Sequence, residues 1–301
     1  MTILVLGAGE VGRRLVGRLV AAGDEVVVAT RSGTALSGAR SVAVDAASPE
    51  QLAAVTRTAS TVVVATNPSQ YHRWPQLWPP LIDSVIAASE GKQVVLMGNL
   101  YGYGRAQMPM TETSPLDPVE VKGRVRAAVW EKLFLAHLDG RLRAVEVRAS
   151  DYMGPGAGAT SQLGTRFFEP VIAGRTAWVV GDPGAEHSWS YLDDIAATLK
   201  AAIRYGGQWG KAWHVPSTAR TRAAIAGEVD AVTGRRSRVV GYPDWVLAGL
   251  GLVSPFLRAV GDSSYQFTAP FLIDASETER ELGVATTPWT VVLRETLAGY
   301  R

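Results

Sequence analysis

Short unbroken apolar runs alternate with stretches of helical spacing over the first half of the chain. Thr2–Leu6 (TILVL) has the length of a buried strand. Behind it, Glu10–Ala21 places Val11, Leu15 and Leu19, with Val16 and Val20, on one helical stripe. Gly23–Asp24 turns the chain, and Glu25–Thr30, rich in β-branched valine, reads as the second strand. Ser41–Val44 and Thr61–Ala65 read as the third and fourth strands, with a helix over Pro49–Thr56 between them. Pro75, Pro79 and Pro80 interrupt the next crossover, so its helix is expected over Leu81–Ser89. Gln93–Met97 is the fifth strand, Gly102–Pro118 a long loop, Val119–Leu138 a helix with an apolar residue every fourth position, and Leu142–Ala149 the sixth strand. This alternation predicts an α/β fold, a Rossmann-type doubly wound parallel sheet with helices on both faces.

The pattern is less regular afterwards. "DYMGPGAGA" is too rich in glycine to be regular, Thr160–Ala173 and Tyr191–Tyr205 read as helices, and Ala177–Val180 and Ala212–Val215 as strands. The remainder reads as helical with short breaks. A boundary near Ser150 divides a dinucleotide-binding domain (1–150) from a mixed region (151–301), part rejoining the sheet and part forming a smaller C-terminal substrate cap. The apolar stretch Tyr242–Arg258 suits a hydrophobic ligand, a dimer contact or closure of the core. Most of the tryptophans Trp74, Trp78, Trp178, Trp209, Trp213 and Trp245 are expected to serve core or cap packing.

Composition narrows the chemistry. The chain has 301 residues, 47% of them hydrophobic, enough for a sizeable core. Thirty basic and 28 acidic residues leave a formal charge of +2, and no long basic run offers a nucleic-acid surface. The absence of cysteine excludes disulfides, thiolate catalysis and cysteine-held metals. Four scattered histidines suggest no metal site. The start has neither the basic region nor the apolar run of a signal peptide, and no segment is a convincing membrane span. A soluble, cytoplasmic protein is expected, with a small-molecule substrate, no nucleic-acid or membrane partner, and a possible homodimer.

"LVLGAGEVG" carries Gly7, Gly9 and Gly12 in G-x-G-x-x-G spacing between that first strand and helix, with Glu10 and Val11 inside the loop. Gly7 permits the tight turn, Gly9 lets backbone approach a pyrophosphate, and Gly12 lets the helix lie close to the sheet. The free N–H groups of the helix start favour phosphate. At the end of the second strand an acidic residue would favour NAD; Thr30, Arg31 and Ser32 stand there instead, and Arg31 suits a 2′-phosphate. NADP is therefore the expected cofactor, with NAD the alternative. Asp45, with Ala46 beside it, either accepts from the adenine amino group or caps the next turn. Thr66, Asn67, Asn99 and Tyr101 lie where strands four and five end, the ligand side of such sheets.

Together these segments resemble the extended or atypical short-chain dehydrogenase/reductase superfamily, in its NAD-dependent epimerase/dehydratase branch. The resemblance runs through "GAGEVG", "VVVATRS", "VLMGNLYGYG", "PMTETSPLDP", "VRASDYMGPGA" and "WVVGDPGAEHSWSYLDDIAATL". It implies a catalytic hydroxyl residue, tyrosine and lysine. Lys122 matches the lysine, which in the family holds the nicotinamide ribose and lowers the tyrosine pKa. Asn99 stands near the hydroxyl position, and Pro118 stands where the tyrosine belongs. A proton donor must then come from elsewhere, and Tyr101, Tyr103 or Tyr152 could bring a phenol beside Lys122. Asp151, Tyr152, Met153 and His187 are candidate substrate contacts, with Arg148 a structural alternative partner for Asp151 and an exposed loop the alternative for His187. Asp193 and Asp194 are read as capping the helix they begin and, by resemblance, as anchoring the cap. No segment suits the second diphosphate of a sugar nucleotide, which favours a smaller substrate. The expected activity is NADP-dependent oxidation, reduction or epimerisation of a small organic carbonyl or alcohol. A cofactor-binding sensor or partner protein without turnover, and a lyase or cyclase on the same fold, are the alternatives.

Overall fold

Successive side chains of a strand point to opposite faces, and the first strand, β1 (Thr2–Leu6), uses both. Ile3 and Val5 pack with α1 (Glu10–Val20) and α6 (Leu192–Arg204), through Val11, Leu15, Leu192 and Ile195. Leu4 and Leu6 pack against the other layer, α2 (Pro49–Thr56), α3 (Trp74–Ala88) and α4 (Val121–Leu138), through Leu52, Trp74, Trp78 and Leu133. A strand covered on both faces needs no polar alternation, which is why these strands are continuous apolar runs. The computed structural model describes residues 1–158, 161–243, 245–246, 258 and 261–300.

The other strands of this sheet are β2 (Glu25–Thr30), β3 (Arg40–Ala43), β4 (Thr61–Val64), β5 (Gln93–Asn99), β6 (Arg143–Ala149) and β10 (Lys211–His214). Their order is β10-β6-β5-β4-β1-β2-β3, and every pairing is parallel. The order reverses between β1 and β4, and a ligand crevice is expected beyond the carboxyl ends there. β10 comes from beyond Ser150 and extends the sheet past β6.

A second layer lies on the carboxyl side. β7 (Asp151–Met153), β9 (Glu186–Tyr191) and β11 (Thr218–Thr221) form one small sheet; β8 (Thr176–Val179) and β12 (Arg238–Gly241) form another. They share a core with α5 (Thr165–Ile172), α7 (Arg222–Thr233) and the terminal helix, α9 (Trp289–Ala298), which follows α8 (Ser276–Leu282).

Several expectations need correction. The helix expected over Leu81–Ser89 begins at Trp74: Pro75 occupies the first turn, and Pro79 and Pro80 lie on its exposed side while Trp74 and Trp78 are buried on the other. "DYM" is strand β7, and the stretch read as helical contains β11 and β12; each is held by a partner distant in sequence. The helix read over Thr160–Ala173 is confined to Thr165–Ile172, and Ala159 and Thr160 lie outside the described residues. Asp193 and Asp194 do not cap α6. Asp193 pairs with Arg14 and Arg18, and Asp194 accepts from the backbone N–H and hydroxyl of Thr287 at 2.9 and 2.5 Å. Trp74, Trp78, Trp209 and Trp213 are buried, as expected of most of the tryptophans; Trp178, 48% exposed, stacks on Tyr242, and Trp245 is 77% exposed. Most of the apolar stretch 242–258 falls outside the described residues.

Candidate active site

Three glycines at the start of α1 serve three different needs. Gly7 has φ +110°, and a Cβ there would stand 2.8 Å from the Ala65 carbonyl oxygen. A Cβ on Gly12 would meet the Gly7 carbonyl oxygen at 2.2 Å, so its absence lets helix and loop touch. Gly9 is different: among the described residues nothing lies within 4 Å of the position its Cβ would take. It is the N-cap of α1 and brings no side chain to the first N–H groups. The glycine loop after β7 folds over the neighbouring residue, with Arg14 donating to the Pro155 carbonyl and Gly156 packed on the Glu10 carboxylate, yet its described residues leave Gly9 clear. Open space at a bare helix start fits a dinucleotide pyrophosphate.

At the end of β2, Arg31 is exposed, while Thr30 Oγ1 accepts from the Thr34 N–H at 2.8 Å and the Ser32 hydroxyl bonds that of Thr34. The residues form a short turn whose outward cation is Arg31. Asp45 caps the turn after β3, accepting from the Ala47 N–H at 3.0 Å, and Ala46 packs against the core beneath.

A cleft of about 320 Å³ lies at the carboxyl ends of β1, β4, β5 and β6. It brings together Gly9, Glu10, Val11, Thr66, Asn67, Asn99, Tyr101, Asp151 and Tyr152, all expected from the sequence. Tyr71, Trp74, Arg126 and Ser150 also line it and were not foreseen. Tyr71 and Trp74 belong to the proline-rich crossover, where the signal pointed to a loop. Arg126 is buried, donates to the Met97 carbonyl at 2.6 Å and stands over the Trp78 ring.

The stretch "PVEVKGR" has a local explanation. Glu120 is the N-cap of α4, its carboxylate accepting from the N–H groups of Lys122 and Gly123 at 3.0 and 3.1 Å; the helix therefore begins at Val121 and not Val119. Pro118 packs against the start of α4: a Cβ on Gly123 would lie 2.9 Å from Pro118 Cβ. Two tyrosine rings from other elements stand beside Lys122. Lys122, 5% exposed, places Nζ 5.1 Å from the centre of the Tyr101 ring and 5.4 Å from that of Tyr71. Burial pulls the Lys122 pKa down, opposed by Glu120, Asp262 and Asp151. Burial pushes Tyr101 well up and Tyr71 up, and Tyr152 up to about 12, so all three phenols stay protonated at neutral pH.

Tyr103 faces elsewhere. Its hydroxyl accepts from Arg148 at 2.6 Å and meets His214 Nε2 at 2.7 Å in a buried chain, and it does not line the cleft. Arg148 donates to Glu146 at 2.7 Å, which confirms it as a structural pairing residue and removes it as a partner for Asp151. Met153 is wholly buried in the core beneath the second layer, away from the cleft lining. His187 is not on an exposed loop: it lies on β9, 2% exposed, with Nε2 3.0 Å from Asp151 Oδ2.

A family model described as NADP oxidoreductase, coenzyme F420-dependent, matches residues 2–93, from β1 to the start of β5. No curated protein matches the sequence. Among solved structures, the UDP-glucose 4-epimerase of Thermotoga maritima, solved with UDP-glucose, is similar at TM-score 0.80 and 16% identity, over 100% of this chain and 99% of that one. The UDP-glucuronic acid 4-epimerase of Bacillus cereus, in complex with NAD, gives 0.80 at 13% identity over 100% of both chains. The dTDP-glucose 4,6-dehydratase of Streptomyces venezuelae, with NAD bound, gives 0.78 at 21% identity over 100% of this chain and 97% of that one. At these identities the likeness is one of fold, and the chain has the fold of these epimerases and dehydratases.

Proposed function

We propose that the protein is an NADP-dependent oxidoreductase or epimerase-like enzyme acting on a small organic carbonyl or alcohol. The observation that carries this reading is the open space at Gly9, before a helix start without a capping side chain, where the strand order of the sheet reverses. A nicotinamide dinucleotide held there supplies or accepts a hydride. The chain's own residues divide the remaining work. The N–H groups at the start of α1 hold the pyrophosphate, Arg31 meets the 2′-phosphate, and Thr66 and Asn67 border the ribose path. Lys122, whose charge lies against two aromatic rings, would donate to the nicotinamide ribose. Asn99 and Tyr101 border the substrate position, and Trp74 with Tyr152 helps keep water out.

Gly9 provides the test. Its φ of −74° and ψ of −170° suit any residue, so Gly9→Ala should fold with a Tm within about 1 °C of wild type. The new methyl would occupy the space left for the pyrophosphate. NADPH affinity, measured by calorimetry, should fall at least tenfold, and wild type should prefer NADPH to NADH. Unchanged affinity in the variant would refute the reading.

A second reading, cofactor binding without turnover, is favoured by Pro118 and Asn99 standing where the resemblance calls for a tyrosine and a hydroxyl residue. Tight NADPH binding with no cofactor oxidation across a panel of aldehydes and ketones would select it.

A further inference from the structure

We infer that Asp151 and His187 share a transferable proton at the cleft wall and form the acid–base group of the site, Asp151 touching the substrate and His187 storing the proton behind it. The inference rests on the oxidoreductase reading for its substrate, a carbonyl oxygen.

The argument is an accounting of protons. His187 Nδ1 lies 3.1 Å from the Gln266 carbonyl oxygen, and Nε2 lies 3.0 Å from Asp151 Oδ2. Carbonyl and carboxylate oxygens are both acceptors, so each contact needs its own hydrogen. A neutral imidazole brings one and an ionised aspartate none. A proton on Nδ1 alone would leave the Nε2 lone pair facing Oδ2. A proton on Nε2 alone would leave the Nδ1 lone pair facing the Gln266 oxygen. Both contacts close at hydrogen-bond distance when the pair carries a second proton, as imidazolium with carboxylate or as imidazole with carboxylic acid.

The surroundings hold this arrangement in place. The ring is stacked between Phe267 and Phe271, with centroids 4.7 and 5.4 Å away, and Trp189 lies at 4.5 Å. The Ser150 hydroxyl stands 3.2 Å from Nε2. His187 has 2% of its side chain exposed and Asp151 21%, so the pair opens to the cleft only through the carboxylate. The other groups bearing on Asp151 are Lys122 from α4, Arg222 from α7, and the phenols of Tyr71, Tyr101 and Tyr152. The neighbouring phenols, shielded from solvent, are poor sources of a proton.

The step balances simply. As the carbonyl oxygen gains charge it takes the proton that Asp151 relays from Nε2. An O–H bond forms on the substrate, the Nε2–H bond breaks, and neutral imidazole with carboxylate remains until water returns a proton. The electron pair comes from the reductant named above, a dihydronicotinamide. In the oxidising direction the carboxylate takes the alcohol proton.

Two measurements test the pair. A long-range proton–nitrogen correlation spectrum of protein labelled at its four histidines reads the ring directly, the His187 signal being the one lost in His187→Gln. Nδ1 is expected to be protonated, and Nε2 to shift in Asp151→Asn. A neutral ring protonated at Nε2 alone would overturn the inference. In the second measurement, carbonyl-dependent NADPH oxidation by Asp151→Asn should fall about a hundredfold in kcat with NADPH affinity unchanged. Turnover within twofold of wild type would overturn the inference and leave the proposed function standing. Failure of wild type to bind NADPH would overturn the proposed function itself. Binding without turnover on any carbonyl would remove the catalytic role of the pair while the cofactor site stood.

Discussion

Single residues carry the chemistry, and Lys122 shows how one is tuned. A lysine at the second position of a helix would ordinarily reach into water. Here the Glu120 carboxylate holds its N–H, while the ammonium group lies under two phenol rings in a place where burial disfavours its charge. A charge maintained against that penalty has value where a polar ligand can meet it. Lys122→Met keeps the apolar stem among the rings and removes the donor. Loss of a charged hydrogen bond costs about 1.5–3 kcal/mol, so NADPH affinity in this variant should fall by roughly tenfold or more. Calorimetry on the two proteins checks this, and equal affinities would exclude the ribose contact.

At the level of elements, local pattern and distant partners contribute unequally. The strand and helix alternation to Ala149 was legible because each strand is buried on both faces and each helix on one, which writes the two periods directly into the apolar residues. The start of α4 was missed by two residues because Val119 continues the apolar spacing, whereas the boundary is set by Glu120 turning its side chain onto two backbone N–H groups. Glu120→Ala should therefore cost about 1 kcal/mol of stability in chemical denaturation, and Glu120→Gln less, since an amide oxygen can still accept. The small strands were less visible. β7 is three residues beside a glycine loop, and β8 and β12 pair across some sixty residues, so no local window contains both. His187 was misplaced for the same reason: β9 exists through its pairing with β7 and β11.

Across the whole molecule a buried polar chain ties the main sheet to the C-terminal segment. Arg126 and Arg148 both meet Glu146, Arg148 donates to Tyr103, and Tyr103 donates to His214 Nε2. His214 Nδ1 in turn donates to the Asp274 carbonyl at 2.8 Å, which assigns the neutral tautomer. Burial lowers the His214 pKa from 6.5 to about 4. An unfolded chain then binds a proton that the native one refuses, so this contribution is fully present above pH 6.5 and is lost as the pH falls toward 4. By pH 5 the loss is about 2 kcal/mol. Urea denaturation at pH 8 and pH 5 should show this difference, and His214→Gln should abolish that part of it. A pH dependence identical in the variant would refute the assignment.

The sequence by itself determined the parallel sheet, the glycine loop and the cation at the end of β2, because these depend on residues close together in the chain: a strand's apolar run, a turn that admits no side chain, a residue at a strand end. Only the tertiary structure decided what stands beside Lys122 and which acid faces the cleft. Tyr71, Tyr101, Asp151 and His187 come from four separate segments, and their meeting is set by strand order and by the packing of the second layer over the sheet. Contacts of that kind depend on distances through space that no local pattern records.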